Sequence, residues 1–191
     1  VKEKVQVLIS GIGGQGILFT TRVLAEAALM EGKEVICAET HGMAQRGASV
    51  VSHVRIGGYQ SPLIQKGTAE YLLNLDKGEL QSSLLFLRPE GLCFLNASGV
   101  PGLPDPLQDF CTHNRISILA YDATGIALRM GFIRGANQAL LGFACARTMG
   151  IHYFPTSESL IAAIQKISGQ AVRQKNIDAF IAGYRAGNDL I

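Results

Sequence analysis

VQVLISGIGGQGILFTTRVLAEAALMEG, residues 5–32, runs from an apolar segment through a glycine cluster into a helical stretch. The apolar character of VQVLIS (5–10) is nearly continuous, which suits a strand buried on both faces. Four glycines then fall within six positions: Gly11, Gly13, Gly14 and Gly16. ILFTTRVLAEAALMEG reads as a helix that stops near Gly32, since glycine at a helix end takes the left-handed conformation without strain. EVICAE (34–39) reads as the next strand. This is a β–loop–α–β unit, and it predicts a parallel strand pair joined by a right-handed crossover.

Gly11-Ile12-Gly13-Gly14-Gln15-Gly16 satisfies GxGxxG between a strand and a helix, the context that gives the motif weight. Such glycines allow a tight turn and a close backbone approach, and the helix N-terminus beyond offers free N–H groups to an anion. Glu39 ends the second strand 23 residues after Gly16, near the place where a dinucleotide fold carries its ribose-binding acid. Other features weaken a dinucleotide reading. After Glu39 the chain enters a glycine-bounded loop and then a strand, with no helix between. Gln15 is unusual at the helix entrance. His41, His53, His113 and His152 are scattered without an evident carboxylate partner, so no hydride-transfer site assembles. A tight turn packed on a neighbour, an anion or cofactor contact, and an NAD site all stay open for this loop.

ETHGMAQRGASVVSH (39–53) is the more distinctive stretch. It leaves the carboxyl end of the second strand as the glycine loop leaves that of the first. Both loops then lie on the edge where open α/β sheets form a ligand crevice. Arg46 would stand beside the glycine loop, suited to a phosphate or carboxylate, or would be a structural residue that pairs with Glu39 or caps backbone carbonyls. His41 and His53 read as loop and strand residues rather than metal ligands, and Met43 as an apolar contact.

Further strands are read at 49–57, 69–76, 92–96 and 116–122, with a turn at Pro89–Gly91 and a short helix in KGELQSSLLFL. GVPGLPDP (99–106) reads as an irregular excursion and a candidate interface loop. The remainder is helical: ATGIALRMG, ANQALLGFACARTMG (136–150), TSESLIAAIQKIS (156–168) with Thr156 or Ser157 as cap, and AVRQKNIDAFIAGYRAG (171–187). The helix at 136–150 has so few polar positions that either the core or another subunit must cover it. The expected fold is α/β: a Rossmann-like open sheet with mostly parallel strands, followed by a C-terminal helical segment. One domain over 1–191 accounts for the length, as an α/β core at 1–150 and helices at 151–191.

Of the 191 residues, 48% are apolar and 17% charged, enough for a sizeable core and against disorder. A net charge of +2 without a Lys/Arg cluster argues against nucleic acid. No apolar run is long enough to span a bilayer, and the strand-like opening VKEKVQVLI lacks a signal-peptide layout; the expected location is cytoplasmic. Cys37, Cys93, Cys111 and Cys145 form no close pair, which argues against a zinc or iron–sulfur site. Cys37, Cys93 and Cys145 sit in apolar runs and read as buried, reduced thiols.

The combination of GIGGQGILFTTRVLAEAALMEG with ETHGMAQRGASVVSHVRIG resembles the gamma-type domain of 2-oxoacid:ferredoxin oxidoreductases. The second stretch looks most like the small (beta) subunit of the indolepyruvate type. The resemblance extends over most of the chain, to NIDAFIAGYRAG, and is strongest over 11–57. It implies an α/β module packed on catalytic domains that oxidatively decarboxylate 2-oxoacids to acyl-CoA and reduce ferredoxin. Thiamine diphosphate, magnesium and iron–sulfur clusters are then expected in a large alpha subunit. This chain has neither a GDG followed by a distant Asn nor clustered cysteines, and alone it should be inactive. Gly11, Gly13, Gly14, Gln15, Gly16 and Arg46 match the family motif; the resemblance implies a contact there with coenzyme A, another anion or a neighbouring subunit. No residue is assigned a catalytic role. Ala48 departs from the glycine that often follows Gly47 in related chains. The alternatives are a free-standing NAD(P)- or flavin-binding oxidoreductase and a self-associating scaffold, the latter a homodimer when isolated.

Overall fold

The computed structural model describes residues 4–41, 47–149 and 153–189. Six strands form one open sheet: β1 (Val5–Ile12), β2 (Val35–His41), β3 (Ser49–Ile56), β4 (Ala69–Asn74), β5 (Leu87–Asn96) and β6 (Ser117–Tyr121). Their order is β2-β3-β1-β4-β5-β6. Strands β1, β4, β5 and β6 pair in parallel, while β3 is antiparallel to both of its neighbours. The mostly parallel α/β sheet is the expected class.

The expected parallel pairing of the first two strands is corrected. β3 lies between them, matched along its whole length to β1, from Val5↔Ile56 to Ile12↔Ser49. Burial explains the order. Ser52, Val54 and Ile56 are fully buried and His53 nearly so, so β3 takes an interior position. Cys37, Glu39 and Thr40 in β2 are exposed, which only an edge strand tolerates.

Helix α1 (Ile17–Met30) packs on one face of the sheet with α5 (Ala136–Arg147), α6 (Ser157–Ile167) and α7 (Arg173–Asn188). Their core contains Val7, Ile9, Leu24, Leu140, Phe143, Ile164 and Phe180. On the other face, α2 (Leu80–Leu84) and α3 (Asp105–His113) cover Leu8, Leu72, Cys93 and Leu95. Thr156 caps α6 by accepting from the Ser159 N–H. The short α4 (Ala123–Arg129) follows β6.

Helix α5 is buried from Asn137 to Ala146; within the chain, α7 lies directly on it. Gly142 and Gly183 permit that approach. A Cβ on Gly142 would overlap the Phe180 carbonyl oxygen, and one on Gly183 would overlap that of Ala139. Small residues here let the two helix backbones touch directly, where larger side chains ordinarily hold helix axes about 8–10 Å apart.

Three sequence-based expectations are revised. Helix α3 begins inside the proline-rich stretch read as irregular, because Asp105 and Pro106 occupy its first turn, where proline's missing N–H costs nothing. The turn at Pro89–Gly91 is embedded in β5 as a bulge: Ala69 pairs with Leu87 and Tyr71 with Leu92, and Glu90 has φ 65°. Among the cysteines, Cys93, Cys111 and Cys145 are buried, whereas Cys37 is exposed on the edge strand, contrary to expectation. Burial pushes the Cys145 thiol up to about 12, which keeps it protonated and inert.

Candidate functional site

The glycine loop joins β1 to α1 and is braced from three directions. Gly13 donates its N–H to the Ala48 carbonyl at 2.9 Å, so the second loop does return beside the first. Gln15 accepts from the Ile12 N–H through Oε1 at 2.9 Å and donates through Nε2 to Asp76 Oδ2 at 2.9 Å. Asp76 in turn accepts from the Gly78 N–H at 2.8 Å. Gln15, unusual in a dinucleotide loop, thus ties the turn to the segment after β4. From α5, Asn137 donates through Nδ2 to the Gly16 carbonyl at 3.1 Å and accepts from the Gln138 N–H at 2.9 Å. Gly14 and Gly16 have φ of 101° and 82°, a region that disfavours any residue with a Cβ.

The loop forms one wall of a cleft of about 560 Å³ at the carboxyl edge of the sheet. Gly14, Gln15 and Gly16 line it, with Phe19 beside them. Gly11 and Gly13 are not among the lining residues and shape the loop instead; a Cβ on Gly11 would stand 2.5 Å from Gln15 Oε1. Arg46 lies outside the described residues, as do Met43, His152 and the side chain of His41. The opposite wall comes from the distant C-terminal half: Phe132, Ile133, Arg134, Asn137, Val172 and Asn176. Asn96 and Thr124 form the floor, locked together by a 2.9 Å bond between Asn96 Nδ2 and Thr124 Oγ1 and a 3.1 Å bond from the Thr124 N–H to Asn96 Oδ1.

The cleft's chemistry follows from what opens on it. Helices α1, α5 and α7 begin at its walls; Gly16 and Val172 place no side chain on the first-turn amides of α1 and α7, whereas in α5 the Ala136 N–H is donated to the Ile133 carbonyl and the Gln138 N–H to Asn137 Oδ1. The uncapped N-terminal ends of α1 and α7 thus open on the cleft. Arg134 adds a cation that makes no ion pair among the described residues. Phe19, Phe132, Ile133 and Val172 supply apolar surface. The arrangement suits a ligand with an anionic group on an apolar or aromatic body. No group of three His, Cys, Asp or Glu side chains able to hold a metal exists among the described residues. Sequence reading missed Arg134 and Asn137, which lie about 120 positions beyond the glycine loop. The available signal was polar residues at the carboxyl ends of later strands, Asn96 and Thr124 among them.

His53 is a core residue. Its Nδ1 accepts from the Ile64 N–H at 3.1 Å, and its ring meets Phe86 edge-on. Burial holds its pKa below 6.5, and Arg55 lowers it further. As pH falls below 6.5, the unfolded chain takes up a proton that the folded chain refuses, so stability declines until the lowered folded pKa is reached. We expect the thermal midpoint to fall between about pH 7.5 and about pH 5, and His53→Gln to flatten that slope. Paired melts of the two proteins check this; equal slopes would contradict it.

The chain belongs to the family described as pyruvate ferredoxin/flavodoxin oxidoreductase, whose model matches residues 6–186. The resemblance read from the glycine loop and HGMAQRG therefore holds. The chain is 32% identical to the indolepyruvate oxidoreductase subunit IorB of Methanothermobacter thermautotrophicus, over 94% of this chain and 96% of that protein. It is 30% identical to the subunit of the same name in Archaeoglobus fulgidus, over 95% and 94%. Among solved structures it resembles the pyruvate oxidoreductase subunit PORC of Thermotoga maritima, with TM-score 0.72, 26% identity and coverage of 98% and 97%. These relatives lend no support to a free-standing NAD(P) or flavin enzyme. The sheet also argues against that alternative. Glu39 pairs with Ser52, which pairs with Ile9, so the acid stands two strands, roughly 9–10 Å, from β1.

Proposed function

We propose that this chain is the non-catalytic small subunit of a thiamine diphosphate-dependent 2-oxoacid:ferredoxin oxidoreductase of the indolepyruvate type. The complex oxidatively decarboxylates aryl 2-oxoacids to acyl-CoA and passes the electrons to ferredoxin. The observation that carries this reading is end-to-end similarity to proteins named as indolepyruvate oxidoreductase subunits, with at least 94% of each partner covered. The cleft beside the glycine loop can hold a ligand, as a subunit that shapes a substrate or coenzyme entrance requires. The thiamine diphosphate, magnesium and iron–sulfur clusters belong to a large alpha subunit. The whole of 1–191 acts as one gamma-type unit, an α/β core at 1–150 with helices at 151–191; the burial of α5 beneath α7 supports this. No described helix is long and apolar enough to cross a membrane, and a cytoplasmic location fits the reading.

The cleft residues fit coenzyme A. Its phosphates would meet the loop amides of Gly14 and Gly16, which precede the first turn of α1, and the guanidinium of Arg134, and the apolar walls would take the rest. Arg46, within the family motif beside Gly47, joins that contact, while Gly11 and Gly13 hold the loop in shape. Coenzyme A itself supplies the thiol that accepts the acyl group. Purification of the complex through a tag on this chain tests the assignment: a large partner carrying thiamine diphosphate and iron, active with indolepyruvate, is expected, and its absence would refute it. Within that complex, Arg134→Ala should raise the KM for coenzyme A about tenfold, the scale of one lost charged contact. The KM for the 2-oxoacid should stay unchanged. Equal effects on both substrates would remove Arg134 from the site.

A further inference from the structure

The turn from α4 into α5 displays Leu128, Met130 and Ile133 with 57%, 40% and 57% of their surface exposed. Three large apolar side chains facing water within six residues mark an interaction surface. They are held there by a rigid turn. The Phe132 N–H donates to the Ala127 carbonyl and the Gly131 N–H to that of Leu128, both at 2.9 Å, and Gly131 has φ 68°. This double closure is the Schellman arrangement. The Phe132 ring turns inward against Gly135 and under Lys175. The outward residues are thus presented without a loop that must be ordered on binding, which lowers the cost of association.

The same turn is a wall of the cleft, through Phe132, Ile133 and Arg134. An apolar, basic surface at the rim of the cleft places a docked partner next to whatever the cleft holds. The exposed charges of the turn itself, Arg129 and Arg134, are basic, as is Lys175 over the Phe132 ring. Residues 123–136 contain no Asp or Glu, and neither Arg129 nor Arg134 forms an ion pair among the described residues. We infer that the α4–α5 turn is the seat of the thiamine-bearing large subunit, through an apolar patch with an acidic rim on that partner, and that docking there closes the cleft. The inference rests on the subunit reading given above.

The test measures affinity of this chain for the purified large subunit. Leu128→Glu with Ile133→Glu should weaken binding at least about tenfold, as expected for apolar anchors at an interface centre. Leu29→Glu with Leu63→Glu, at comparably exposed sites elsewhere, should leave it unchanged. Hydrogen exchange of the wild-type pair supplies a measurement that no variant can confound: amides around 128–134 should be slowed by the large subunit. Wild-type binding with no protection there, or undiminished binding by a folded patch variant, would overturn the docking site and leave the subunit reading intact. A patch that instead pairs two copies of this chain would also overturn it. Failure of the wild-type chain to bind the large subunit would overturn both.

Discussion

Gly183→Ala should lower the thermal midpoint by about 10 °C and strip the large subunit of its partner at growth temperature. The added Cβ would collide with the Ala139 carbonyl oxygen and stand 2.7 Å from its carbon and 3.0 Å from the Phe143 nitrogen. These are backbone atoms of a buried helix, and no rotamer change can clear them. The two helices must move apart, which loosens the packing around Phe143 and Phe180, both in the main core. Overpacking of this kind costs about 3 kcal/mol or more where nothing can yield. Gly142→Ala should do comparable damage, because its Cβ would overlap the Phe180 carbonyl oxygen and approach the Tyr184 nitrogen to 2.9 Å. The two effects should fall short of additive, since either one already separates the same pair of helices. Gly169→Ala, with open space at its Cβ, is the control. A Gly183→Ala protein that melts with the wild type would contradict the α5–α7 contact.

Gly16→Ala should remove most coenzyme A-dependent activity from the assembled enzyme while costing about 2–3 kcal/mol of stability. Two causes combine. Gly16 has φ 82°, and its Cβ would overlap the Asn137 Nδ2 that holds its carbonyl. A left-handed alanine costs roughly 1–2 kcal/mol, and the displaced Asn137 bond about 1 kcal/mol more. In an Asn137→Ala background the collision and the bond are both already gone, so adding Gly16→Ala there should cost only the backbone strain of about 1–2 kcal/mol. Gly14→Ala faces open space and carries only the strain of φ 101°. Melts of the four proteins separate the two causes. A double variant as stable as Asn137→Ala alone would mean that the left-handed backbone contributes nothing.

The local part of this architecture was readable from residues in sequence. An apolar run, a glycine cluster and a helix closed by Gly32 need only neighbours to define them, and β1, the loop and α1 follow directly. Strand order is a different kind of information. SVVSHVRI can pair on either side of a strand, and its place between β2 and β1 depends on how much of Val54, Ile56 and His53 the whole sheet buries. Helix α3 was hidden by prolines that belong to its first turn. The α5–α7 contact was hidden because Gly142 and Gly183 look like weak helix positions until the facing backbone is known. The cleft was half visible for the same reason. Its glycine wall is a local motif, whereas Arg134, Asn137 and Asn176 reach it only through the packing of three helices.

The central claim is that the chain completes a catalyst that resides elsewhere, and recombination tests it most directly. The large thiamine-bearing subunit and this chain would be purified apart, then assayed singly and together for indolepyruvate-dependent reduction of ferredoxin in the presence of coenzyme A. The account predicts no turnover by this chain alone, and full turnover that saturates as the chain is added to the large subunit. A large subunit equally active with and without the chain, or turnover by the chain alone, would contradict it.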